Sequence, residues 1–273
     1  MKKIVIGKIK LKGKGVAVLV SAAIVILVLV CLAVWGIANS GNNISKDNIA
    51  TELHPDFTLT ALTGNKKSTP NTLSAIKNAA QSNCKNIQLD LMFNSKDEPV
   101  LTDNADDVDK KTTVPLAVAF KTLKTSYKDI DIVLKIHELT NLEKVEELAE
   151  QYEMLERLYF CGVNKDNAEY INFKTPNIRY MLDMSLDKSK IDDKDYVESC
   201  LDIIKGAYSV NLDFKKTSTK WIELLAGKEI KVSLYNVDSK ADVFKALNLN
   251  AQNIFTKNPG ETQSIVRDWL IKR

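Results

Sequence analysis

The sequence contains few of the residues on which most metal and nucleophilic sites depend. Two histidines and four cysteines occur among its 273 residues, and the cysteine spacings match no zinc-binding pattern. It has no P-loop, no Gly-x-Gly-x-x-Gly turn, no His-Glu-x-x-His helix and no Gly-x-Ser-x-Gly elbow. The motifs of nucleotide-binding loops, zinc proteases and α/β-hydrolases are therefore missing.

Signs of a non-globular chain are missing as well. The composition is 45% hydrophobic and 27% charged, and no internal repeat or low-complexity stretch stands out. This composition excludes a disordered, collagen-like or disulfide-stapled chain. The length is sufficient for one large hydrophobic core or two small ones.

Acidic residues are absent from the first 38 positions, which hold six lysines. The whole chain has a net charge of +3, but the residues after position 38 carry 32 basic and 35 acidic side chains, a net charge of −3. A basic nucleic-acid-binding body is therefore disfavoured, and we expect no nucleic-acid partner.

One long uncharged run occupies residues 16–38. It reads VAVLVSAAIVILVLVCLAVWGIA, in which Ser21 is the one polar side chain. A helix of this length spans about 34 Å, enough to cross a hydrocarbon core of about 30 Å. We predict a single-pass transmembrane helix in the cell membrane. Because the lysines all precede it, the positive-inside rule places the tail, residues 1–15, in the cytoplasm and the C-terminal body outside.

A cleaved signal peptide is the alternative to this anchor, since a basic region precedes the apolar run and small residues end it. The run is longer than the roughly 7–15 residues of a signal-peptide core, which favours retention. A mature protein that begins at Asn39 would support cleavage instead.

The cysteines are divided between this run and the outer body. Cys31 lies in the run, which leaves Cys84, Cys161 and Cys200 outside it. We interpret these three as small buried thiols. A single disulfide with one spare thiol is the alternative, because an outward-facing compartment permits disulfides.

The outer body begins with residues 39–56, a polar, turn-rich stretch that we interpret as a stalk, and in which we expect His54 to be solvated. From residue 57 to 273 strand-like and helix-like patterns alternate. Strands are predicted at 57–62, 86–93, 98–102, 130–137, 157–161, 178–182, 208–212, 230–237 and 252–256. Helices are predicted at 70–82, 115–124, 141–153, 165–172, 192–205, 217–226, 239–247 and 260–272.

This alternation predicts parallel βα units in one domain. The gap between strands 86–93 and 98–102 is too short for a parallel crossover, so these two strands should form an antiparallel hairpin. Eight strands then remain. They predict a (β/α)₈ TIM barrel over residues 57–273, with a doubly wound open sheet as the alternative.

Polar residues that interrupt apolar strands are the candidates for function, because barrel sites lie at the C-terminal ends of the strands. Gln88 and Asp90 share a face of one predicted strand, and Lys135 and His137 share a face of another. A buried carboxylate is costly without a partner, so we expect Asp90 and Lys135 to meet inside the barrel. A structural ion pair and a phosphate or cation site are both open interpretations.

Two adjoining segments resemble the glycerophosphodiester phosphodiesterase family. Residues 71–90 read NTLSAIKNAAQSNCKNIQLD and residues 91–103 read LMFNSKDEPVLTD, where the family shows ENTL, a helix, IELDV and TKDGxPVVxHD. Further similar segments are IDIVLK at 130–135, KVSLYNVD at 231–238 and FTKNPG at 255–260. The resemblance covers residues 57–273 and implies a phospholipase-C-like (β/α)₈ barrel.

The resemblance implies that the family's catalytic positions are substituted here. The two catalytic histidines fall on Leu62 and Asp103, and a phosphate-binding arginine falls on Thr63. A leucine transfers no proton, and an aspartate at neutral pH is an acceptor only. Loss of one acid/base group typically lowers a rate by about 10²–10⁴.

The family's metal site is also depleted. Of three metal-binding carboxylates, Asp90 is kept, while the other two positions hold Gln88 and Val133. This incomplete set has too little charge to hold Ca²⁺ or Mg²⁺ well. We therefore expect no cofactor, with Ca²⁺ or Mg²⁺ as the cofactor if the family site still functions.

The retained frame and the substituted site together predict a membrane-anchored, outward-facing domain that binds or scaffolds rather than hydrolyses. The resemblance implies Lys135, Tyr235 and Gln88 as contacts for a glycerophosphodiester or polyglycerol phosphate, and the sequence identifies no protein partner. The alternative is a divergent phosphodiesterase that forms glycerol phosphate and an alcohol, with Asp103, Lys135 and His137 as its catalytic candidates. A purely structural extracellular domain is a third hypothesis.

Overall fold

A computed structural model describes residues 52–63 and 68–271 of the chain. The predicted cytoplasmic tail, the predicted transmembrane run and nearly all of the predicted stalk lie outside these residues. Within the described part of the chain, no helix is both long enough and apolar enough to span a bilayer.

Ten strands and eight α-helices are described. The strands are β1 (Thr58–Ala61), β2 (Asn86–Phe93), β3 (Pro99–Leu101), β4 (Val114–Pro115), β5 (Asp131–Ile136), β6 (Leu158–Val163), β7 (Arg179–Met184), β8 (Ser209–Asp213), β9 (Val232–Tyr235) and β10 (Asn253–Thr256). The helices are α1 (Leu73–Gln81), α2 (Leu116–Ser126), α3 (Leu142–Gln151), α4 (Ala168–Lys174), α5 (Lys194–Ile204), α6 (Thr219–Gly227), α7 (Lys240–Asn248) and α8 (Pro259–Ile271).

Eight parallel strands close into a barrel. The order runs β1-β10-β9-β8-β7-β6-β5-β2, and β1 pairs with both β10 and β2, which closes the ring. The predicted closed barrel is therefore confirmed, and the doubly wound open sheet is wrong. Each crossover between neighbouring parallel strands after β5 contains a helix on the outside, as parallel pairing requires.

The predicted hairpin is also confirmed. β3 pairs antiparallel with β2, with Leu101 opposite Leu91 and Pro99 opposite Phe93. A short strand that the sequence did not predict, β4, extends the hairpin by pairing with β3. The sequence pattern assigned residue 115 to the following helix, whereas here Pro115 pairs with Val100.

Two hydrophobic layers follow from the alternation of side chains along each strand. On β5, Ile132, Leu134 and Ile136 belong to the large cluster that packs against the helices. The side chains between them face the interior of the barrel, where a second, smaller cluster lies. It consists of Val133, Tyr159, Cys161, Met181 and Phe255. This inner layer fills the middle of the barrel and separates a cavity at each end.

The cysteines behave as buried thiols. Cys84, Cys161 and Cys200 are all free and buried, which confirms the first interpretation and not the disulfide. Burial in apolar surroundings raises the pKa of Cys84 to about 12, because the thiolate is poorly solvated there. Cys84 therefore stays a protonated thiol at neutral pH.

Candidate functional site

A cavity of about 340 Å³ opens at the C-terminal ends of the barrel strands. This is the end at which the fold collects functional loops. The cavity, called the mouth cavity below, is lined by Leu62, Gln88, Lys135, Cys161, Gly162, Asp183, Asn211, Tyr235, Asn236, Asp238, Phe255 and Lys257.

Three residues predicted as ligand contacts lie together in the mouth cavity. Gln88 and Tyr235 are partly buried, and Lys135 is exposed. Burial raises the pKa of the Tyr235 hydroxyl, and the nearby carboxylates of Asp213 and Asp183 raise it further. Tyr235 therefore stays protonated and can donate a hydrogen bond throughout the neutral range. A contact between these side chains and a ligand remains a prediction.

Two polar residues that the sequence reasoning missed lie beside them. Asn211 is 3% exposed, and its Nδ2 donates to Asp183 Oδ1 over 2.8 Å. The Oδ1 atom of Asn211 is buried and has no hydrogen-bond partner among the described residues. Since buried polar atoms are nearly always satisfied, this oxygen is an acceptor available to a ligand in the cavity.

Asp183 is the main negative charge beside that acceptor. Limited hydration within the cavity raises the pKa of the Asp183 carboxyl, while the hydrogen bond from Asn211 and the positive charge of Lys135 act in the opposite direction. The signal for Asn211 was present, since it interrupts the apolar strand predicted at 208–212. Asp183 was missed because the observed β7 extends past residue 182, where the predicted strand ended.

Asp90 is buried and held by two partners. The Nδ2 atom of Asn71 donates to Asp90 Oδ2 over 3.1 Å, and the Asp90 backbone N–H donates to Asn71 Oδ1 over 2.8 Å. The other carboxylate oxygen lies 2.9 Å from His137 Nε2. Asp90 and Lys135 are cross-strand neighbours in register, but the described contacts of Asp90 include no ion pair with Lys135. The expected Asp90–Lys135 pair is therefore corrected to an Asp90–His137 pair.

The remaining candidate positions are dispersed. Asp103 is exposed in the loop after β3, and neither it nor His137 is among the described residues that line the mouth cavity. Leu62 does line it, while Val133 is fully buried in the inner layer. Of the two positions at which the resemblance implies catalytic histidines, Leu62 lines the cavity and Asp103 is not among its described lining residues.

His54 differs from expectation in a similar way. Its ring Nε2 lies 2.9 Å from Gln252 Nε2, and its Nδ1 accepts a hydrogen bond from the Asp56 backbone N–H over 3.1 Å. The end of the predicted stalk thus contacts the barrel, and His54 is bonded rather than simply solvated.

The residues present do not fit a divalent cation. Ca²⁺ and Mg²⁺ need several oxygen ligands, usually including carboxylates. Asp90 is already engaged by Asn71 and His137, Gln88 offers one neutral oxygen and Val133 offers none. No group of three or more His, Cys, Asp or Glu side chains in the described residues is arranged to hold a metal ion.

The mouth cavity is instead a mixed-charge polar pocket. Its described walls carry two cations, Lys135 and Lys257, and two anions, Asp183 and Asp238. The neutral donors and acceptors are Gln88, Asn211, Asn236 and Tyr235. Such a pocket suits a small ligand with a phosphate or carboxylate and hydroxyl groups.

Comparison by sequence gives no match. No protein-family model matches the chain, and no curated protein sequence matches it.

Comparison of structures gives many matches, and the three named below share 16% sequence identity or less with this chain. A protein of Galdieria sulphuraria assigned to the glycerophosphodiester phosphodiesterases has a TM-score of 0.65 and 16% identity, and the match covers 80% of this chain and 100% of that one. The glycerophosphodiester phosphodiesterase of Thermotoga maritima has a TM-score of 0.61 and 13% identity, with 77% and 98% covered.

A third similar structure contains a ligand. It is an Oleispira antarctica phosphodiesterase in complex with the product sn-glycerol-3-phosphate, with a TM-score of 0.61, 14% identity, and 77% of this chain and 96% of that one covered. The matches span nearly the whole length of these proteins. This chain therefore has the (β/α)₈ fold of the solved glycerophosphodiester phosphodiesterases, as the resemblance in its motifs implied.

Proposed function

We propose that the chain is a glycerophosphodiester phosphodiesterase-like domain, anchored in the cell membrane and facing outward, that binds a small phosphorylated polyol without hydrolysing it. The observation that carries this proposal is the mouth cavity itself. It contains Lys135, an Asn211 oxygen without a partner among the described residues, and Leu62 at the position where the motif resemblance implies a catalytic histidine.

The absence of hydrolysis follows from the substituted acid and base. Leu62 has no proton to exchange, and Asp103 is an exposed carboxylate in the loop after β3 that is not among the described residues lining the cavity. General acid–base catalysis requires a titratable group within hydrogen-bond reach of the reacting oxygen. Loss of each of these two groups lowers the rate by a factor of about 10²–10⁴.

The ligand class follows from the charges and acceptors in the cavity. The Lys135 and Lys257 ammonium groups suit a phosphate, which binds most strongly through charge-assisted hydrogen bonds. A ligand hydroxyl can donate to Asn211 Oδ1 and satisfy that buried oxygen. Glycerol phosphate has both features, it is the product bound by the Oleispira antarctica phosphodiesterase, and polyglycerol phosphate repeats the same unit.

The test is thermal unfolding of the full chain with and without sn-glycerol 3-phosphate. A ligand that binds only the folded state at 100 times its Kd stabilises that state by about 2.7 kcal/mol, so we expect a rise in Tm. Lys135→Ala should weaken binding about tenfold or more, because a charged hydrogen bond is lost. Lys121→Ala, an exposed lysine on α2, is the matched control and should keep the full shift.

The absence of any shift at millimolar glycerol phosphate would favour the third hypothesis, a structural domain with a vestigial pocket. A shift that survives in Lys135→Ala would place the ligand elsewhere on the chain.

One observation favours the alternative of an active phosphodiesterase. His137 follows β5 at the mouth end of the barrel, and Asp90 lies 2.9 Å from its Nε2, an arrangement in which a carboxylate orients an imidazole. This hypothesis predicts turnover of glycerophosphodiesters with added Ca²⁺ or Mg²⁺, and loss of turnover in both His137→Ala and Lys135→Ala. Such turnover would overturn the non-hydrolytic proposal.

A further inference from the structure

A second cavity lies at the opposite end of the barrel and has a volume of about 460 Å³. Among the described residues it shares no lining side chain with the mouth cavity, and the inner hydrophobic layer lies between them. This cavity, called the base cavity below, is lined by Pro55, Asp56, Phe57, Thr58, Lys85, Asn86, Asp131, Tyr159, Met181, Tyr208, Ser209, Lys231, Ser233, Gln252 and Asn253.

The charged side chains of the base cavity are already paired with one another. Lys85 Nζ lies 3.0 Å from Asp131 Oδ1, and Lys231 Nζ lies 3.8 Å from Asp56 Oδ2. The four formal charges sum to zero. A charged ligand would therefore have to compete with an existing ion pair, and it would have to lose its own hydration to do so. The cavity favours a neutral ligand.

An unused hydrogen-bond donor lies in the wall. Asn253 is 5% exposed, and its Oδ1 accepts from Thr58 Oγ1 over 3.0 Å and from Thr60 Oγ1 over 2.9 Å. These two bonds fix the orientation of the amide. Its Nδ2 is buried and has no partner within the described part of the chain, so it lacks an acceptor that a ligand can supply.

Two of the aromatic residues in the wall, Tyr159 and Tyr208, contact each other and nearby cations. The Tyr159 and Tyr208 ring centroids are 4.7 Å apart, with the rings tilted by 45°. The Arg179 guanidinium lies 4.4 Å from the Tyr159 centroid, and Lys231 Nζ lies 4.6 Å from the Tyr208 centroid. Cation–π contacts of this length restrict ring motion. The rings therefore present a fixed apolar surface beside their hydroxyl groups.

The remaining polar groups both donate and accept. Ser209 and Ser233 lie side by side with 3.3 Å between their hydroxyl oxygens, and either hydroxyl can turn toward a ligand. Burial raises the pKa of Tyr159, so its hydroxyl stays protonated at neutral pH. Hydroxyls and amides next to aromatic rings match a molecule with many hydroxyl groups and apolar C–H surface, since each ligand hydroxyl is also both donor and acceptor.

We propose that the base cavity binds a neutral polyhydroxylated molecule of about monosaccharide size, a sugar or a polyol. The volume lies within the roughly 300–1,000 Å³ of ligand pockets. This site is independent of the mouth cavity and of the proposed function, because the two sites use different residues and suit ligands of different charge.

The test is isothermal titration calorimetry of the full chain in a detergent without a sugar headgroup, since glycosidic detergents would compete. A panel of neutral monosaccharides and polyols is compared with their phosphate esters. We expect at least one neutral compound to bind, and its phosphate ester to bind more weakly. Absence of binding by the whole neutral panel at millimolar concentration overturns the proposal, as does tighter binding of the phosphate ester.

Variants then assign the binding to the base cavity. Tyr208→Phe and Ser233→Ala each remove one hydroxyl, and each should weaken binding about fivefold, the effect of one net hydrogen bond. Tyr152→Phe removes a hydroxyl from a partly buried tyrosine that packs on Phe120, and it should bind like the parent. Equal weakening in all three variants, or no weakening in the first two, overturns the assignment.

A second readout uses the unmodified chain, in case a variant fails to fold. Hydrogen–deuterium exchange with the bound sugar should slow in peptides that cover residues 208–210 and 231–233 at the base. Exchange should stay unchanged in the peptide that covers residues 256–258 at the mouth. Protection at the mouth alone would overturn the proposal.

Discussion

At the scale of single residues, the retained carboxylate Asp90 has a structural role. Its two oxygens and its backbone N–H are satisfied by Asn71 and His137, and it is 4% exposed. A buried carboxylate without such partners would be strongly destabilising. Asp90 therefore fixes the loop before α1 against the barrel, and this role explains its retention beside Gln88 without requiring a metal ion.

Asp183 gives the residue-scale prediction. Its carboxyl pKa is raised in the folded state above the ordinary value of about 3.9. Between these two pKa values the folded chain binds more protons than the unfolded chain, so the free energy of unfolding falls as pH rises through that window. We expect Asp183→Asn to have a higher Tm than the parent at neutral pH, and the difference to vanish as pH falls below about 4.

The control for this prediction separates charge from hydrogen bonding. An asparagine at 183 can still accept the bond from Asn211 Nδ2, whereas Asp183→Ala cannot. The alanine variant should show the same change in pH dependence as Asp183→Asn. Its Tm should be lower than that of Asp183→Asn at every pH, because Asn211 Nδ2 loses its acceptor. Melting curves over a pH series measure both effects. A Tm difference between Asp183→Asn and the parent that grows as the pH falls would contradict the raised pKa of the Asp183 carboxyl.

At the scale of secondary-structure elements, the sequence predicts most of the barrel because each strand carries its own local signal. Strand β2 agrees with the prediction at both ends, since an apolar alternation is bounded by polar, turn-forming residues. The start of α1 was predicted at residue 70 and lies at Leu73. Asn71 adopts the left-handed conformation, with φ 58°, and bonds Asp90. A long-range bond of this kind has no local sequence pattern.

The same reason limits prediction of the site. Gln88 and Lys135 were found because the resemblance and the alternation both select them, Tyr235 was found from the resemblance alone, and the three share one cavity. Asp183 was missed because the end of β7 depends on pairing with β8, where Asp183 lies opposite Asn211. Asp90 was matched with Lys135 because both lie on the inward faces of their predicted strands. The two residues are cross-strand neighbours, but Asp90 contacts His137 instead.

The irregular strand β6 gives the element-scale prediction. Its register with β7 shifts between Phe160 and Val163, and Gly162 has φ 76°. A Cβ atom at this position would lie 3.0 Å from the Ile136 carbonyl oxygen and 3.5 Å from Lys135 Cγ. The left-handed conformation costs a non-glycine residue about 1–2 kcal/mol before any clash. We expect Gly162→Ala to lower the free energy of unfolding by about 2 kcal/mol.

Gly227 provides the matched control. It ends helix α6, and an added Cβ there would have no neighbour within 4 Å. Gly227→Ala should raise the free energy of unfolding by about 0.5–1 kcal/mol, because alanine loses less backbone entropy on folding. Urea unfolding of both variants measures the contrast. Equal effects of the two substitutions would show that β6 adapts to a side chain at position 162.

At the scale of the whole molecule, the inner hydrophobic layer of the barrel separates the mouth cavity from the base cavity. In the described part of the chain, the mouth cavity has lysines without an ion pair within 4 Å and the acceptor Asn211 Oδ1 without a partner, whereas the base cavity has ion-paired charges and the donor Asn253 Nδ2 without a partner. The inner cluster lines both, since Cys161 and Phe255 face the mouth and Tyr159 and Met181 face the base. A substitution in this layer is therefore expected to affect both cavities, whereas Lys135→Ala and Tyr208→Phe each affect one.

The proposed membrane anchor gives the prediction for the whole molecule. The six lysines that precede residues 16–38 favour a cytoplasmic N-terminus. A chain with different tags at its two ends should stay in the membrane fraction on alkaline extraction. Protease added to intact spheroplasts should remove the C-terminal tag and leave the N-terminal tag protected. Deletion of residues 16–38 should release the chain from the membrane. Loss of the N-terminal tag from a mature chain that begins at Asn39 would instead establish cleavage, and the lysines would then belong to a signal peptide.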